Sequence, residues 1–340
     1  MDSLTQIVLG AACGEAVLGK KIGNKALLFG AIGGTIPDLD VLIGSLIYGN
    51  EIDAMLFHRG FMHSALFSIL GALLLGWLVH KLYNTRKRLH TTTQKDWMQL
   101  FFWSLFTHPI LDCFTPYGTQ LFAPFSNYRV AFNNIAVADP LYTVPFLICI
   151  IILMFFKRKH IQRRFWLKMG IGISSVYLFL TVFNKFYIDN VFKSSLSEKN
   201  LSYARFSTQP AILNNILWYG IAETEDSYHV GFYSLFDATN RFSDWKIIPK
   251  QRDLTKADCR DIEDLAWFSN DYFSVESLGD DCYLYKDLRY PIMETREGYK
   301  AIFNLKLFKD DDRLNMKPFQ PATDDFSFAL NALWKRLKGK

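Results

Sequence analysis

Four short stretches put polar and ionisable side chains where the sequence around them is strongly apolar. They are Pro37-Asp38-Leu39-Asp40, His58-Arg59-Gly60-Phe61-Met62-His63-Ser64, His108-Pro109-Ile110-Leu111-Asp112 and Thr115-Pro116-Tyr117-Gly118. Ionisable groups inside lipid-compatible segments are costly and by default mark a functional site. Imidazole and carboxylate together are the usual ligands of zinc and similar divalent metals. Asp38, Asp40, His58, His63, His108 and Asp112 are therefore the candidate ligands for one or two divalent ions, zinc foremost. The chemistry such a set supports is hydrolysis, because a bound ion lowers the pKa of water toward ~7 and stabilises charge on the attacked group. Asp38 and Asp40 are also candidate catalytic carboxylates, as general base or as partners that orient the histidines. Arg59, beside His58, is a candidate catalytic group that would clamp a phosphate through its planar fork.

Spacing constrains how these residues can meet. His108 and Asp112 are four apart, so a helix projects both from one face. Asp38 and Asp40 would diverge by about 200° on a helix; they converge if Pro37 ends the helix and the chain then runs extended. His58 and His63 also diverge on a continuous helix, and Gly60 places His58 in a loop with His63 on the first turn of the next span.

The elements that must position them are membrane helices, each needing roughly 20 apolar residues. Residues 66–79, 97–113, 141–156 and 165–187 read as spans, residues 26–48 as a span broken at Pro37, and residues 4–18 as a short Gly-containing one. Bases gather in residues 20–25, 81–95 and 157–168, which the positive-inside rule assigns to the cytoplasm. Residues 49–60, 114–140 and everything after 187 then face outward. Along their spans Asp38 lies roughly 18 Å and His108 roughly 17 Å from the cytoplasmic ends, which puts the four stretches in the outer half of a core about 30 Å thick.

Beyond Tyr187 the sequence is polar. Residues 216–222 and 228–236 read as one hairpin, 273–278 and 282–285 as another around Gly279-Asp280-Asp281, and 301–308 as a further strand. Thr323 with Asp324 and Asp325 would cap a closing helix. The expected architecture is an α-helical integral membrane domain of five or six spans (residues 1–187), followed by a soluble α+β domain with an antiparallel sheet (residues 188–340). The net charge of +5 sits in the topology clusters, which excludes a nucleic-acid-binding face. The five cysteines have no CxxC spacing, which argues against a thiolate zinc site; Cys259 and Cys282 could pair in an oxidising compartment. The start, Met1 to Gln6, lacks a basic n-region, so the first apolar segment is expected to be kept. His80, His90, His160 and His229 are given no role.

At the quoted motifs the sequence resembles the YdjM-like membrane-bound metal-dependent hydrolases over about residues 1–160. The resemblance implies a metal-dependent hydrolase of the bacterial cytoplasmic membrane. That family commonly has a Thr-His pair near its start, where this chain has Thr5-Gln6. Gln6, a weaker zinc ligand than imidazole, and Glu15, an acid on the first apolar segment that would compensate or pair with a base, are additional candidate site residues. The expected partners are the lipid bilayer and a lipid or lipid-linked phosphoester substrate. Two other classes remain open: a non-catalytic scaffold with a structural or degenerate metal site, and a transporter, which would spread its acids through the whole membrane depth.

Overall fold

Asp2 accepts a hydrogen bond from the Thr5 backbone and so starts α1 (Ser3–Ile22). The structure, a computed structural model, describes residues 1–252, 259–279, 282–295, 298–318 and 323–339. It divides the chain into two units. The first comprises residues 1–44, 57–183 and 212–214; the second comprises 45–56, 184–211 and 215–340.

In the first unit α1 turns at Gly23 into α2 (Asn24–Thr35). The two helices touch along a glycine seam: a Cβ on Gly10 would lie 2.4 Å from the Gly30 carbonyl oxygen, and one on Gly34 would lie 2.5 Å from that of Gln6. Small residues allow this backbone-to-backbone approach, as they do in membrane helix pairs generally. Pro37 opens a 3-10 turn (Pro37–Leu39) that bends the path by 44° into α3 (Asp40–Ile47). Part of α4 (Glu51–Phe57), with the residues before it, belongs to the second unit. A second 3-10 turn (Phe61–His63) precedes Ser64, whose side chain caps α5 (Ala65–Tyr83). A reciprocal capping box between Thr93 and Asp96 starts α6 (Gln94–Asp112). Asp139 caps α7 (Pro140–Met154), and α8 (Ile161–Glu198) runs 38 residues without a break. Trp97, Leu100, Phe101 and Leu105 of α6 pack with Leu18 and Ala72 in one core, while Val8, Ala12, Phe146 and Leu153 build another.

The count of five or six spans is corrected. Among the described residues two helices are long and apolar enough to cross a membrane, Ala65–Tyr83 and Ile161–Glu198, or three if the bent α2–α3 pair is one span. α1 carries Glu15, Lys20 and Lys21, α6 carries Asp96, His108 and Asp112, and α7 has 15 residues, about 22 Å against a core of about 30 Å. The outward faces of α5 and α8 expose Leu70, Leu74, Trp77, Val176, Phe179 and Leu180. That surface suits lipid as solvent rather than water.

In the second unit β1 (Arg205–Pro210), β2 (Leu217–Glu223), β3 (Ser227–Ser234) and β4 (Ser243–Pro249) form an antiparallel sheet in sequential order. After α9 (Cys259–Phe268) a second antiparallel sheet follows with β5 (Phe273–Gly279), β6 (Cys282–Thr295), β7 (Gly298–Asp310) and β8 (Arg313–Pro318); α10 (Thr323–Leu337) closes the chain. Both expected hairpins are present, but β6 and β7 are longer than hydrophobic alternation suggests. Tyr219, Tyr228 and Val230 fill one core, and Leu265, Val275, Tyr285 and Leu307 fill the other together with Ile52 of α4. Cys282 is a free thiol, and the side chain of Cys259, its expected partner, lies outside the described residues. Asp280 and Asp281, and the side chains of Thr323, Asp324 and Asp325, lie outside the described residues.

Candidate metal centre

Helix ends and 3-10 turns of the first unit deliver the sequence-selected side chains to one place. Asp38 Oδ1 comes from the turn at Pro37, His63 Nε2 from the turn before α5, and His108 Nε2 from the last turns of α6. The two imidazole nitrogens are 3.1 Å apart, and each lies 3.4 Å from Asp38 Oδ1. Ligands held at about 2.0–2.1 Å around a tetrahedral ion stand roughly 3.3 Å from one another, so this triangle has the dimensions of three corners of such a shell. His63 and His108 are buried, whereas the Asp38 side chain keeps 25% of its surface.

Asp112 Oδ2 lies 3.6 Å from both Nε2 atoms and 3.1 Å from Arg59 Nε. It is buried and accepts no well-directed hydrogen bond. An acceptor buried in that state costs free energy unless a cation or proton donor meets it. Its other oxygen receives the Gln6 amide at 2.9 Å and the Met1 amino group. The Gln6 carbonyl oxygen is itself buried without a hydrogen bond. Gln6 thus reaches the site through Asp112, and its amide also donates to the His108 carbonyl at 3.3 Å.

Asp40 plays a different part from Asp38. Its Oδ1 is 2.7 Å from His58 Nδ1, and its Oδ2 is 2.9 Å from His63 Nδ1 and accepts the Arg59 backbone N–H at 3.0 Å. Asp40, His58 and His63 form a second group with metal-binding dimensions. Its carboxylate–imidazole contacts, however, are hydrogen-bond lengths, shorter than the spacing of ligands around one ion. That favours Asp40 as the carboxylate set against the Nδ1 edge of His63, which leaves the Nε2 edge facing the Asp38 triangle; the 2.9 Å contact is an ion-pair distance without well-directed hydrogen-bond geometry. The Gly34 carbonyl sets His108 the same way round, receiving its Nδ1 at 2.7 Å. Outer partners of this kind fix the tautomer and plane of a ligating imidazole. Burial pulls the His58 imidazole below its ordinary pKa despite the neighbouring Asp40.

The expected extended backbone at Asp38–Asp40 is not found. The two residues lie on a 3-10 turn and the start of α3, and they diverge as helical geometry requires. They still share a partner because they approach opposite edges of the His63 ring. His63, expected on the first turn of α5, sits just before it because Ser64 takes the cap position. Arg59 adopts φ +60°, a left-handed conformation that is uncommon for a bulky residue and clusters at functional sites. Its N–H is held by Asp40, its C=O receives the Gln120 N–H at 3.0 Å, and its Nη1 donates to Thr115 Oγ1 at 3.0 Å.

Glu15 stands apart from this cluster. Both of its oxygens bind Arg163 at 2.7 Å, and that guanidinium also donates to the carbonyls of Leu153 and Phe156. The sequence concealed this partner, since Arg163 falls among bases that read as a topology signal. Gly34, Tyr117 and Arg129, which line or support the site, received no role from sequence. Gly34 was traceable only as one of four glycines at helical spacing.

A family model described as YdjM inner membrane protein matches residues 1–188, which contain every residue of the cluster. The uncharacterized protein YfhP of Bacillus subtilis (strain 168) is 29% identical over 162 residues, 45% of this chain and 46% of that protein. The match thus spans less than half the length of that relative. No solved structure matches the chain.

Proposed function

The chain belongs to the YdjM family of inner membrane proteins, and from that premise we propose that it is a membrane-bound metal-dependent hydrolase acting on an ester or phosphoester. The observation that carries the reading is the Asp38–His63–His108 triangle, with edges of 3.1 to 3.4 Å, beside an Asp112 oxygen that accepts no well-directed hydrogen bond. A set of two imidazole nitrogens and carboxylate oxygens suits zinc best among the divalent ions.

A bound ion would supply a water whose pKa is lowered toward ~7 and a positive charge for the attacked oxygen. Asp38 Oδ1 and the Nε2 atoms of His63 and His108 would hold it. The Gly34 carbonyl holds the His108 Nδ1 proton, and Asp40 Oδ2 sits 2.9 Å from His63 Nδ1, so both rings turn Nε2 toward the ion's place. Asp112 Oδ2, within 3.6 Å of both nitrogens, takes the proton of the attacking water and returns it to the leaving oxygen. Arg59, 3.1 Å from the same oxygen, would stabilise the negative charge that develops on the attacked group. The basic stretches 20–25, 81–95 and 157–168 support a cytoplasmic position for those three connections.

Gln6, at the place of the expected family histidine, favours a second reading, a membrane scaffold whose metal is structural. The two are separated by metal analysis of the full-length protein in detergent, together with hydrolysis of soluble carboxylic and phosphoric esters. The hydrolase reading requires bound metal, turnover abolished by a chelator, and loss of both in His108→Ala. Protein that carries no metal, or turnover that ignores the chelator, overturns it; metal without turnover, with unfolding on its removal, establishes the scaffold.

A further inference from the structure

Thr115-Pro116-Tyr117-Gly118 has no place in the ion's coordination, yet it builds a second feature next to it. Thr115 Oγ1 donates to the Asp112 carbonyl at 2.8 Å and receives Arg59 Nη1. The Tyr117 ring then serves as a platform for two guanidiniums, with the Arg59 Cζ 4.6 Å and the Arg129 Cζ 5.2 Å from its centroid. The His58 ring packs edgewise on the same tyrosine, 5.4 Å between centroids. Gly118, at φ +84°, lets the chain turn so that its carbonyl receives Arg129 Nη2 at 3.1 Å; a Cβ there would stand 3.0 Å from the Arg129 Cβ. Thr119 and Val130 exchange both backbone hydrogen bonds, pinning Arg129 opposite Tyr117. Arg129 Nη2 also reaches the His58 carbonyl at 3.4 Å.

Two permanently charged guanidiniums on one aromatic ring repel each other, and the ring's face offsets only part of that cost. Arg59 turns one nitrogen to Asp112 and one to Thr115; among the described residues its Nη2 makes no hydrogen bond to protein. His58, Tyr117 and Arg129 are half-buried, in contrast to the fully buried His63 and His108, so they rim the site. With Asp38, Asp40, Asp112, the Met1 amino group on Asp112, one divalent ion and the two arginines counted together, the balance is net positive. The geometry points to Arg59, Tyr117 and Arg129 as a subsite for a phosphate-type anion, which makes the substrate a phosphoester rather than a carboxylic ester. This rests on the hydrolase reading for its ion, but not for the anion's contacts. Planar guanidinium forks match phosphate oxygens better than any other side chain. Phe122, Phe125 and Tyr128, exposed on the loop between Gly118 and Arg129, suit the headgroup level of a bilayer. The anion is therefore either a lipid headgroup or a free phosphate.

The test is calorimetric titration of the metal-analysed, full-length protein in detergent with inorganic phosphate and with dihexanoyl phosphatidic acid. Both Arg129→Met and Tyr117→Leu should weaken binding about 10-fold or more at unchanged metal content, while Tyr117→Phe retains most of it and Arg129→Lys, which keeps the charge but loses the fork, falls between. Phosphatidic acid binding at least tenfold tighter than inorganic phosphate assigns the lipid headgroup; equal binding assigns free phosphate. Failure of the wild type to bind either probe overturns the subsite, as does binding that survives Arg129→Met and Tyr117→Leu. Arg129-dependent binding in protein that carries no metal keeps the subsite and removes the hydrolase. Metal-loaded protein with Arg129-independent binding does the reverse.

Discussion

The first unit buries two ionic assemblies, and they are built to opposite rules. Glu15 and Arg163 form a closed pair: one carboxylate, one guanidinium, every oxygen bound, and the spare nitrogen spent on backbone carbonyls. The cluster of Asp38, Asp40 and Asp112 with three histidines is open, with acids in excess over Arg59 and an oxygen and an amide carbonyl left without hydrogen bonds. Burial is common to both. A closed pair holds helices together, whereas an open set has an unmet demand for positive charge, and that demand distinguishes a binding site from a strut.

The largest effect that would break the comparison is on ion retention. His63→Ala removes one corner of the triangle and the ring that Asp40 holds. Metal affinity should fall by well over 100-fold, beyond the range seen for outer partners, as read by metal analysis after dialysis; retained metal would make the open cluster another strut. Glu15→Gln should do the converse. It leaves a buried guanidinium uncompensated and costs about 3–5 kcal/mol of stability with metal per folded molecule unchanged, measured by thermal unfolding in detergent. The double change Glu15→Leu with Arg163→Leu should recover most of that loss. Asp40→Asn sharpens the division of labour between the two aspartates. As an orienting residue it should lower metal affinity by roughly 10–100-fold, less than Asp38→Asn; an equal loss would make it a ligand.

The smallest expected effect lies in the second unit, where Arg313 bridges Asp53 and Asp261. Its hydrogen bonds hold the Asp53 carboxyl below the usual value. A depressed folded pKa stabilises above the unfolded value of about 3.9 and loses that contribution as pH falls through the folded one. Partial exposure keeps the contribution to about 0.2–1 kcal/mol. Asp53→Asn should thus shift stability slightly at pH 7 and less as pH falls toward 2, by unfolding curves at the two values.

Much of the candidate site was legible because lipid-compatible sequence makes polar exceptions conspicuous: Asp38, His63, His108 and Asp112 announce themselves against their neighbours. What they face was less legible. Asp38 and Asp40 look equivalent in sequence and differ only because a 3-10 turn sends them to opposite edges of one imidazole. Arg163 was hidden by its company of bases, and Arg129 by a loop whose fold depends on Thr119 meeting Val130. The hairpins of the second unit followed from alternation and turn residues. Span counting failed at α1, α6 and α7, where helices packed against one another tolerate charges and short lengths that a lone lipid-facing helix would not.

The glycine seam between α1 and α2 reaches further than helix packing. Gly34 lies in that seam, and its carbonyl accepts the His108 Nδ1–H, which decides that Nε2 is the nitrogen left bare. An extra methyl group at Gly10, which would lie against the backbone of Gly30 and Gly34, pries the hairpin apart and so rotates or releases a ring on α6. A random-mutagenesis screen for lost metal retention would then return hits at hydrogen-only positions that bind nothing, and they would be mistaken for folding defects unless the tautomer of that one imidazole were followed by nitrogen NMR.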